Sequence, residues 1–418
     1  MRPIPSEMCM SALATTTSVT EEGRPIKLLT GGSPCTHWSI AQTKHRETEA
    51  SGIGWELFRN YLISRDKYKP DFFLYENNKS MSAAIREQIT TELGVEPIMI
   101  NSALVSAQNR QRLYWAGKRN PDGSYSTVDV QQPEDRGILL RSILSTAVGE
   151  KGYHLKPNIK PLSAAEMEYM VRKTRDGRNH FDFEYFHDAT TAKSSCVTAN
   201  THKGVPYNVL AKPVRVGTIE NSAENQTFDS QQYRVYSPDG KSVTLCGQGG
   251  GVGAKTGLYA APVQADGRTY PVYEVRSGFT TIRGKQYPIK LADGFYIIRK
   301  LTVTECKRLQ TVPDSYLFPV SDTQDYKMLG NGWTVDVIAH IMSYFDGLLD
   351  EPVEVLSMYD GMSCGHIALD KLGATVSRFY ATEIDKYAIK TAMYNYPETI
   401  QLGDAFQVRE DGWSLPKQ

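Results

Sequence analysis

Hydrophobic and polar positions fall into three regimes along the chain. The first opens with Ile26-Lys27-Leu28-Leu29-Thr30, a short apolar run that stops in glycines and so predicts a buried strand breaking into a loop. Asp71-Phe72-Phe73-Leu74-Tyr75 predicts a second strand, Ser80 to Leu93 a helix, and Pro97 to Ile100 a further strand. Strands alternating with helices imply a parallel sheet. From about Gly152 to Lys300 the pattern changes to polar residues alternating with aromatic or β-branched ones. Turns such as Ser237-Pro238-Asp239-Gly240 and Gly249-Gly250-Gly251 punctuate it, which predicts a smaller, mostly β unit. Within it, the stretches 192–198 and 240–245 each carry Lys-Ser followed shortly by Thr, too short a likeness for a repeat.

The third regime returns to α/β character. Val353 to Met358 predicts a strand entering Tyr359-Asp360-Gly361-Met362-Ser363-Cys364-Gly365, and Ile367 to Leu372 a helix ending at Gly373. Ser377 to Ala381 predicts the next strand, with Glu383 just beyond its carboxyl end, and a helix runs from Asp385 to about Asn395. Strand, glycine turn, helix, strand and acid make a nucleotide-type half. Glu383 lies 22 residues past Gly361 (383 minus 361), near the spacing of about 20 at which such an acid meets ribose hydroxyls.

Composition narrows this picture. A chain of 418 residues exceeds what one core usually supports, so two units are expected, with boundaries at 1–151, 152–300 and 301–418 if the first and last stretches form one domain. With 40% hydrophobic and 22% charged residues, and no apolar run near the roughly 20 that span a bilayer, a soluble cytoplasmic protein is expected. Residues 1–23 lack the apolar core of a secretory signal. The six cysteines are scattered singly, without the two-residue spacing of zinc or redox pairs, so free thiols and no metal are expected. Zero formal net charge argues against a cationic coat and leaves nucleic-acid binding to be argued from motifs.

Three short motifs carry chemistry. In Gly31-Gly32-Ser33-Pro34-Cys35-Thr36-His37-Trp38-Ser39, a cysteine sits in a Gly/Pro loop at a strand's carboxyl end, where ligands bind in open α/β sheets. A lone cysteine is ordinarily a small core residue, but this placement points to a reactive thiol. Glu76-Asn77 follows the second strand; a carboxylate there either serves a site or caps the next helix. In Gln108-Asn109-Arg110-Gln111-Arg112-Leu113-Tyr114-Trp115, alternation predicts Arg110 and Arg112 on one face of a strand. Two guanidiniums suit phosphate or carbonyl recognition; a surface strand edge is the plain alternative.

Gly-Gly-Ser-Pro-Cys, Glu-Asn and Gln-x-Arg-x-Arg resemble the nucleophile, acid and arginine motifs of the DNA cytosine-C5 methyltransferases. Arg299 to Asp314 resembles the segment after that family's target-recognition domain, and Leu329-Gly330-Asn331-Gly332-Trp333-Thr334-Val335 its Gly-Asn motif on the helix closing the cofactor pocket. Most members carry the cofactor half first. Here its counterparts come last, as Tyr359-x-Gly361-x-Ser363-Cys364, Glu383 and Gly403-Asp404, so the resemblance implies a circularly permuted member, similar to the phage and de novo branch. Ser363 and Cys364 replace two glycines, and Asn78-Lys79 departs from the residues that usually follow Glu-Asn. Lys79 is either a solvated helix-start residue or one that touches DNA or the cofactor carboxylate.

The resemblance implies an α/β, Rossmann-like mixed sheet of the S-adenosylmethionine-dependent methyltransferase type, with a smaller mostly β target-recognition domain. It implies a thiolate at Cys35, after Pro34, adding to C6 of a flipped-out cytosine while Glu76, beside Asn77, serves N3. Arg112 would hold the base O2 or nearby backbone, and Arg110 the loop or a phosphate. Tyr359, Asp360, Gly361, Met362, Ser363, Cys364 and Gly365 would surround the methionine part of S-adenosylmethionine. Glu383 and Ile384 would take the ribose side, Asp404 and Ala405 the adenine, with Asn331 and Trp333 supporting the pocket. Double-stranded DNA as partner, a monomer, and a prokaryotic or phage-encoded origin complete the expectation. Rival readings keep the scaffold but use RNA, transfer a different group, or bind DNA silently; intact Cys35, Glu76, Arg112 and Glu383 speak against the last.

Overall fold

The apolar strands at the two ends of the chain solve one another's burial problem. In the computed structural model, β1 (Ile26–Gly31) pairs in parallel with β13 (Val353–Met358), in register from Ile26↔Val353 to Gly31↔Met358. The structure describes residues 24–34, 37–39, 46–143, 215–218, 234–236, 242, 244–245, 258–263, 272–282, 284–288, 291–299 and 301–416. Cys35, the 192–198 likeness and the turns at 237–240 and 249–251 lie outside them, as does part of 240–245.

After β1 come α1 (Gly52–Tyr68), β2 (Phe72–Asn78), α2 (Ala83–Leu93), β3 (Pro97–Asn101), β4 (Gln111–Arg119) and β5 (Tyr125–Thr127). Strands β6 (Arg215–Thr218), β7 (Arg234–Tyr236), β8 (Leu258–Val263), β9 (Tyr273–Arg276), β10 (Phe279–Ile282), β11 (Lys285–Pro288) and β12 (Gly294–Arg299) follow. Then come α3 (Val303–Leu309), α4 (Asp322–Asn331), α5 (Val335–Met342), β13, α6 (Cys364–Leu372), β14 (Val376–Thr382), α7 (Lys386–Asn395) and β15 (Ile400–Gly403). The main sheet has the order β15-β14-β13-β1-β2-β4-β3, with β5 also on β4, and a second sheet runs β11-β10-β9-β12-β8-β7-β6.

In the main sheet β15, β14, β13, β1 and β2 are mutually parallel, whereas β4 is antiparallel to both β2 and β3. The sheet is therefore mixed, not purely parallel as strand-helix alternation suggests. This geometry places the carboxyl ends of six strands, β3 among them, and the amino end of β4 on one edge. Helices cover both faces, so β1 is apolar on both: Leu28 joins one core cluster and Leu29 the other.

Several boundaries move from the sequence pattern. β2 continues three residues past Tyr75 because β4 pairs with it as far as Asn78↔Arg112, so Glu76 and Asn77 lie inside the strand, not beyond it. α2 starts at Ala83 because the Ser82 hydroxyl accepts from Ile85 N at 3.3 Å, an N-cap that ends the preceding turn. α1 has no clear amphipathic signature in sequence because Asn60 and Ser64 are buried beside Phe58 and Tyr61. Among the described residues, no helix is long and apolar enough to cross a membrane.

Gly117 on β4 faces Phe73 on β2 in register. A Cβ there would fall 2.2 Å from the Phe73 ring. Gly117→Ala should therefore destabilise the sheet by about 1–3 kcal/mol, read as a lower urea midpoint; an unchanged midpoint would contradict this packing.

Candidate active site

Glu76 sits on the edge where the parallel strands end. It is 9% exposed, and because Asn78 pairs with Arg112 and Glu76 with Tyr114, Arg112 lies diagonally beside it on the same face. Arg112 Nε approaches Glu76 Oε1 at 3.1 Å, and the Trp333 indole N–H donates to Oε2 at 3.0 Å. Gly32 passes so close that an added Cβ would lie 3.0 Å from Oε2 and 2.9 Å from the Glu76 carbonyl oxygen. No larger residue fits there, which explains the second glycine of the loop.

Asn77 points to the opposite side and ties that loop down. Its amide donates to the Ser33 carbonyl at 3.2 Å and to the Tyr75 hydroxyl at 3.2 Å, while the Ser33 and Tyr75 hydroxyls share a 2.6 Å bond. Pro34 is exposed. On the far flank of the loop, Trp38 is fully buried and donates to Glu47 at 3.0 Å, Glu47 N donates to the His37 carbonyl at 2.9 Å, and Arg46 donates to the Ser80 carbonyl at 2.7 Å. Both flanks of the cysteine loop are thus anchored to β2 and the start of α1.

Arg110 corrects the expected pairing of guanidiniums on one strand face. It precedes β4 and is 3% exposed, donating to the carbonyls of Leu245 at 3.1 Å, Gly330 at 3.2 Å and Gly332 at 2.9 Å. The chain leaves strand geometry here because Asn109 N donates to Ser242 O at 3.0 Å and the Thr244 hydroxyl to Asn109 O at 2.7 Å, docking the middle segment onto it. Arg110 therefore serves protein carbonyls rather than an external phosphate. Lys79 is exposed at its backbone turn, and its ammonium donates to Gln111 Oε1 at 3.0 Å.

The second half of the site gathers at the ends of β13, β14 and β15. After Met358 the backbone turns through positive φ at Tyr359 (59°), Gly361 (60°) and Ser363 (58°). Tyr359 N donates to the Thr382 hydroxyl at 3.1 Å and Asp360 N to the Thr382 carbonyl at 3.0 Å. The Glu383 carboxylate accepts from Gly361 N, Ile384 N and Asp385 N, each at 2.8 Å. Beside it Ile384 is 74% exposed. A carboxylate aimed by backbone amides next to an uncovered apolar side chain suits a nucleoside, with hydroxyls on one side and a base on the other. Asp404 is exposed and accepts from Phe406 N at 2.9 Å, above buried Ala405.

Met362 and Gly365 are buried behind this turn, the Met362 carbonyl accepting from the Tyr316 hydroxyl at 2.7 Å. Burial pushes the Cys364 thiol up to about 12, so it is an inert packing group. Asn331 ends α4 with its side chain exposed. Trp333, expected in the cofactor pocket, borders Gly365 but aims its N–H at Glu76. Nothing in the sequence separates these two duties, since both follow from one Gly-Trp step. The Ser33–Tyr75 and Trp38–Glu47 bonds likewise carry no sequence signal.

Residues 13–345 match the model of a family described as C-5 cytosine-specific DNA methylase. The orphan methyltransferase M.SPRI of Bacillus phage SPR is 23% identical over 379 residues, covering 75% of this chain and 81% of the relative. The type II methyltransferase M.HhaI of Haemophilus parahaemolyticus is 29% identical over 130 residues, 31% of this chain and 28% of its own. Among solved structures, the Entamoeba histolytica methyltransferase EhMeth aligns with a TM-score of 0.40 at 13% identity, covering 76% of each chain.

Asp360 gives the site a measurable pH signature. Burial, reinforced by the Glu383 charge, pushes its carboxyl up to about 7 despite bonds from the Ser363 and Ser357 hydroxyls. The unfolded chain releases that proton near pH 4, so the folded state holds more protons between about pH 4 and 7, and this contribution to stability is lost as pH rises through that window. Asp360→Asn should flatten the fall in urea midpoint between pH 5 and pH 8; parallel profiles for the two proteins would refute it.

Proposed function

The chain belongs to the C-5 cytosine-specific DNA methylase family, and from that premise we propose that it methylates C5 of a flipped-out cytosine within one short sequence of double-stranded DNA, through a covalent bond from Cys35 to C6. The observation that carries this reading is Glu76, fixed between Arg112 and Trp333 beside the glycine loop that leads to Cys35. C5 of cytosine is a weak nucleophile. Thiolate addition at C6 makes it enamine-like, and a carboxylic acid at N3 relieves the charge that builds on the ring. Cys35 performs the addition and Glu76 meets N3. Arg112, already on Glu76, steadies that carboxylate and reaches the base O2, while Arg110 holds the base-side loop to the Gly330–Gly332 turn. Loss of the C5 proton to water and expulsion of the thiolate then free the product.

S-adenosylmethionine is the methyl donor of this family and would supply C5 with an electrophilic methyl group, the broken S–CH3 bond's electron pair staying on sulfur as S-adenosylhomocysteine leaves. The residues at the ends of β13 to β15 fit it: Glu383 for the ribose hydroxyls, Ile384 and Asp404 for the adenine, and the turn from Tyr359 to Gly365 for the methionine part, with Asn331 at the pocket's margin. Residues 152–300 act as the target-recognition domain and grip the duplex, and 1–151 with 301–418 form the catalytic domain. The motif order is a circular permutation. Two observations support it: the β1–β13 ladder seats the C-terminal half beside the N-terminal one, and the family match ends at 345, before Tyr359, Glu383 and Asp404.

The test is transfer from labelled S-adenosylmethionine to mixed-sequence duplex DNA, with 5-methylcytosine mapped by bisulfite sequencing. Cys35→Ser should abolish label, and Glu76→Gln should slow transfer by about 10²–10⁴-fold. Undiminished label with Cys35→Ser, or label entering RNA instead of DNA, would overturn the reading.

A further inference from the structure

The segment carrying Trp333 is held by hydrogen bonds on both sides of the indole. Arg110 binds the carbonyls of Gly330 and Gly332. Gln310 donates to the Leu329 carbonyl at 2.5 Å and accepts from the Thr334 hydroxyl at 2.9 Å, and Ser102 donates to that same hydroxyl at 2.8 Å. Val335 N donates to the Gln310 carbonyl at 2.9 Å, and Gly332 N closes α4 on Met328 O at 2.7 Å. Arg110, Gln310 and Ser102 thus hold the segment on either side of one indole.

That indole spans the two halves of the site. Its N–H is 3.0 Å from Glu76 Oε2, while a Cβ built on Gly365 would lie 3.8 Å from its far ring edge. Gly332, just before it, packs against Cys364, a Cβ there falling 3.2 Å from the sulfur. An indole N–H only donates, and it carries no charge. Arg112 grips Oε1 with a charged donor; Trp333 grips Oε2 with a neutral one. Two donors from different directions set the plane of the carboxylate.

We infer that Trp333 is a positioning residue that orients Glu76 toward the base from the cofactor side of the cleft, and that its contribution lies in base activation rather than in cofactor affinity. This deepens the proposed function and rests on the role of Glu76 given there. Because the same ring borders the turn that opens α6, any shift of that turn moves the donor on Glu76. The pocket that holds the methyl donor and the acid that prepares the base thereby share one rigid part.

Trp333→Phe keeps an aromatic ring and removes the N–H; Trp333→His, which retains a ring N–H, is the second variant. Loss of a hydrogen bond to a charged group is expected to slow methyl transfer about 10- to 100-fold, with Trp333→His slowed less than Trp333→Phe. Binding of S-adenosylhomocysteine, followed by calorimetry, should stay within about 3-fold of wild type, about half of the 1.4 kcal/mol that a decade of affinity represents. In a double-mutant cycle the Trp333→Phe effect should vanish in a Glu76→Gln background. A matching loss of S-adenosylhomocysteine affinity, or the full Trp333→Phe effect persisting beside Glu76→Gln, would overturn the inference. If Glu76→Gln alone leaves transfer unchanged, the role of Glu76 fails instead, and circular dichroism of each variant separates misfolding from all of these outcomes.

Discussion

The ladder between β1 and β13 is the contact on which everything else in this molecule depends. Each strand is apolar on both faces and needs a neighbour on each side, and each finds one of the two more than three hundred residues away along the chain, Ile26 facing Val353. Once they pair, the carboxyl ends of β1, β2, β13, β14 and β15 share one edge, along which Trp333 reaches from beside Gly365 to Glu76. Without that ladder Glu76 and Glu383 would have no fixed relation to one another.

Within that edge the design is one of restrained carboxylates. Glu76 is held by a guanidinium and an indole, Glu383 by three backbone amides, and Asp360 by two serine hydroxyls. Of the three, burial pushes the Asp360 carboxyl up to about 7. The glycines between them serve proximity: Gly32 lets the cysteine loop pass against Glu76, and Gly361 gives its N–H to Glu383 from a positive φ.

The strands and motif order were legible because buried parallel strands are unbroken apolar runs, and the cysteine loop, Glu-Asn pair and glycine turn each stand at the end of one. Partners were not. The alternation of Arg110 and Arg112 suggests one shared face, yet tertiary docking of Ser242 and Thr244 pulls Arg110 out of the strand. The end of β2 at Asn78 is set by its pairing with Arg112 of β4, 34 residues on (112 minus 78), and not by anything local. Helix α1 was hidden because Asn60 and Ser64 occupy its buried face. Trp333 illustrates the same limit of local pattern: a motif fixes where the residue stands, and only the fold decides which acid it addresses.

The bonds between Ala107–Arg110 and Ser242–Leu245 bear on how such a protein diversifies. They join the stretch just before β4 to a point within the middle segment, so the chain between them, which opens with β4 and β5 of the main sheet, has both ends fixed on that edge. Loop-closure cost grows only as the logarithm of length, about 0.6 kcal/mol per doubling. Beyond β5, added length between the two anchors therefore costs little in closure entropy, whereas β4 is bound into the sheet edge by β2 and β3.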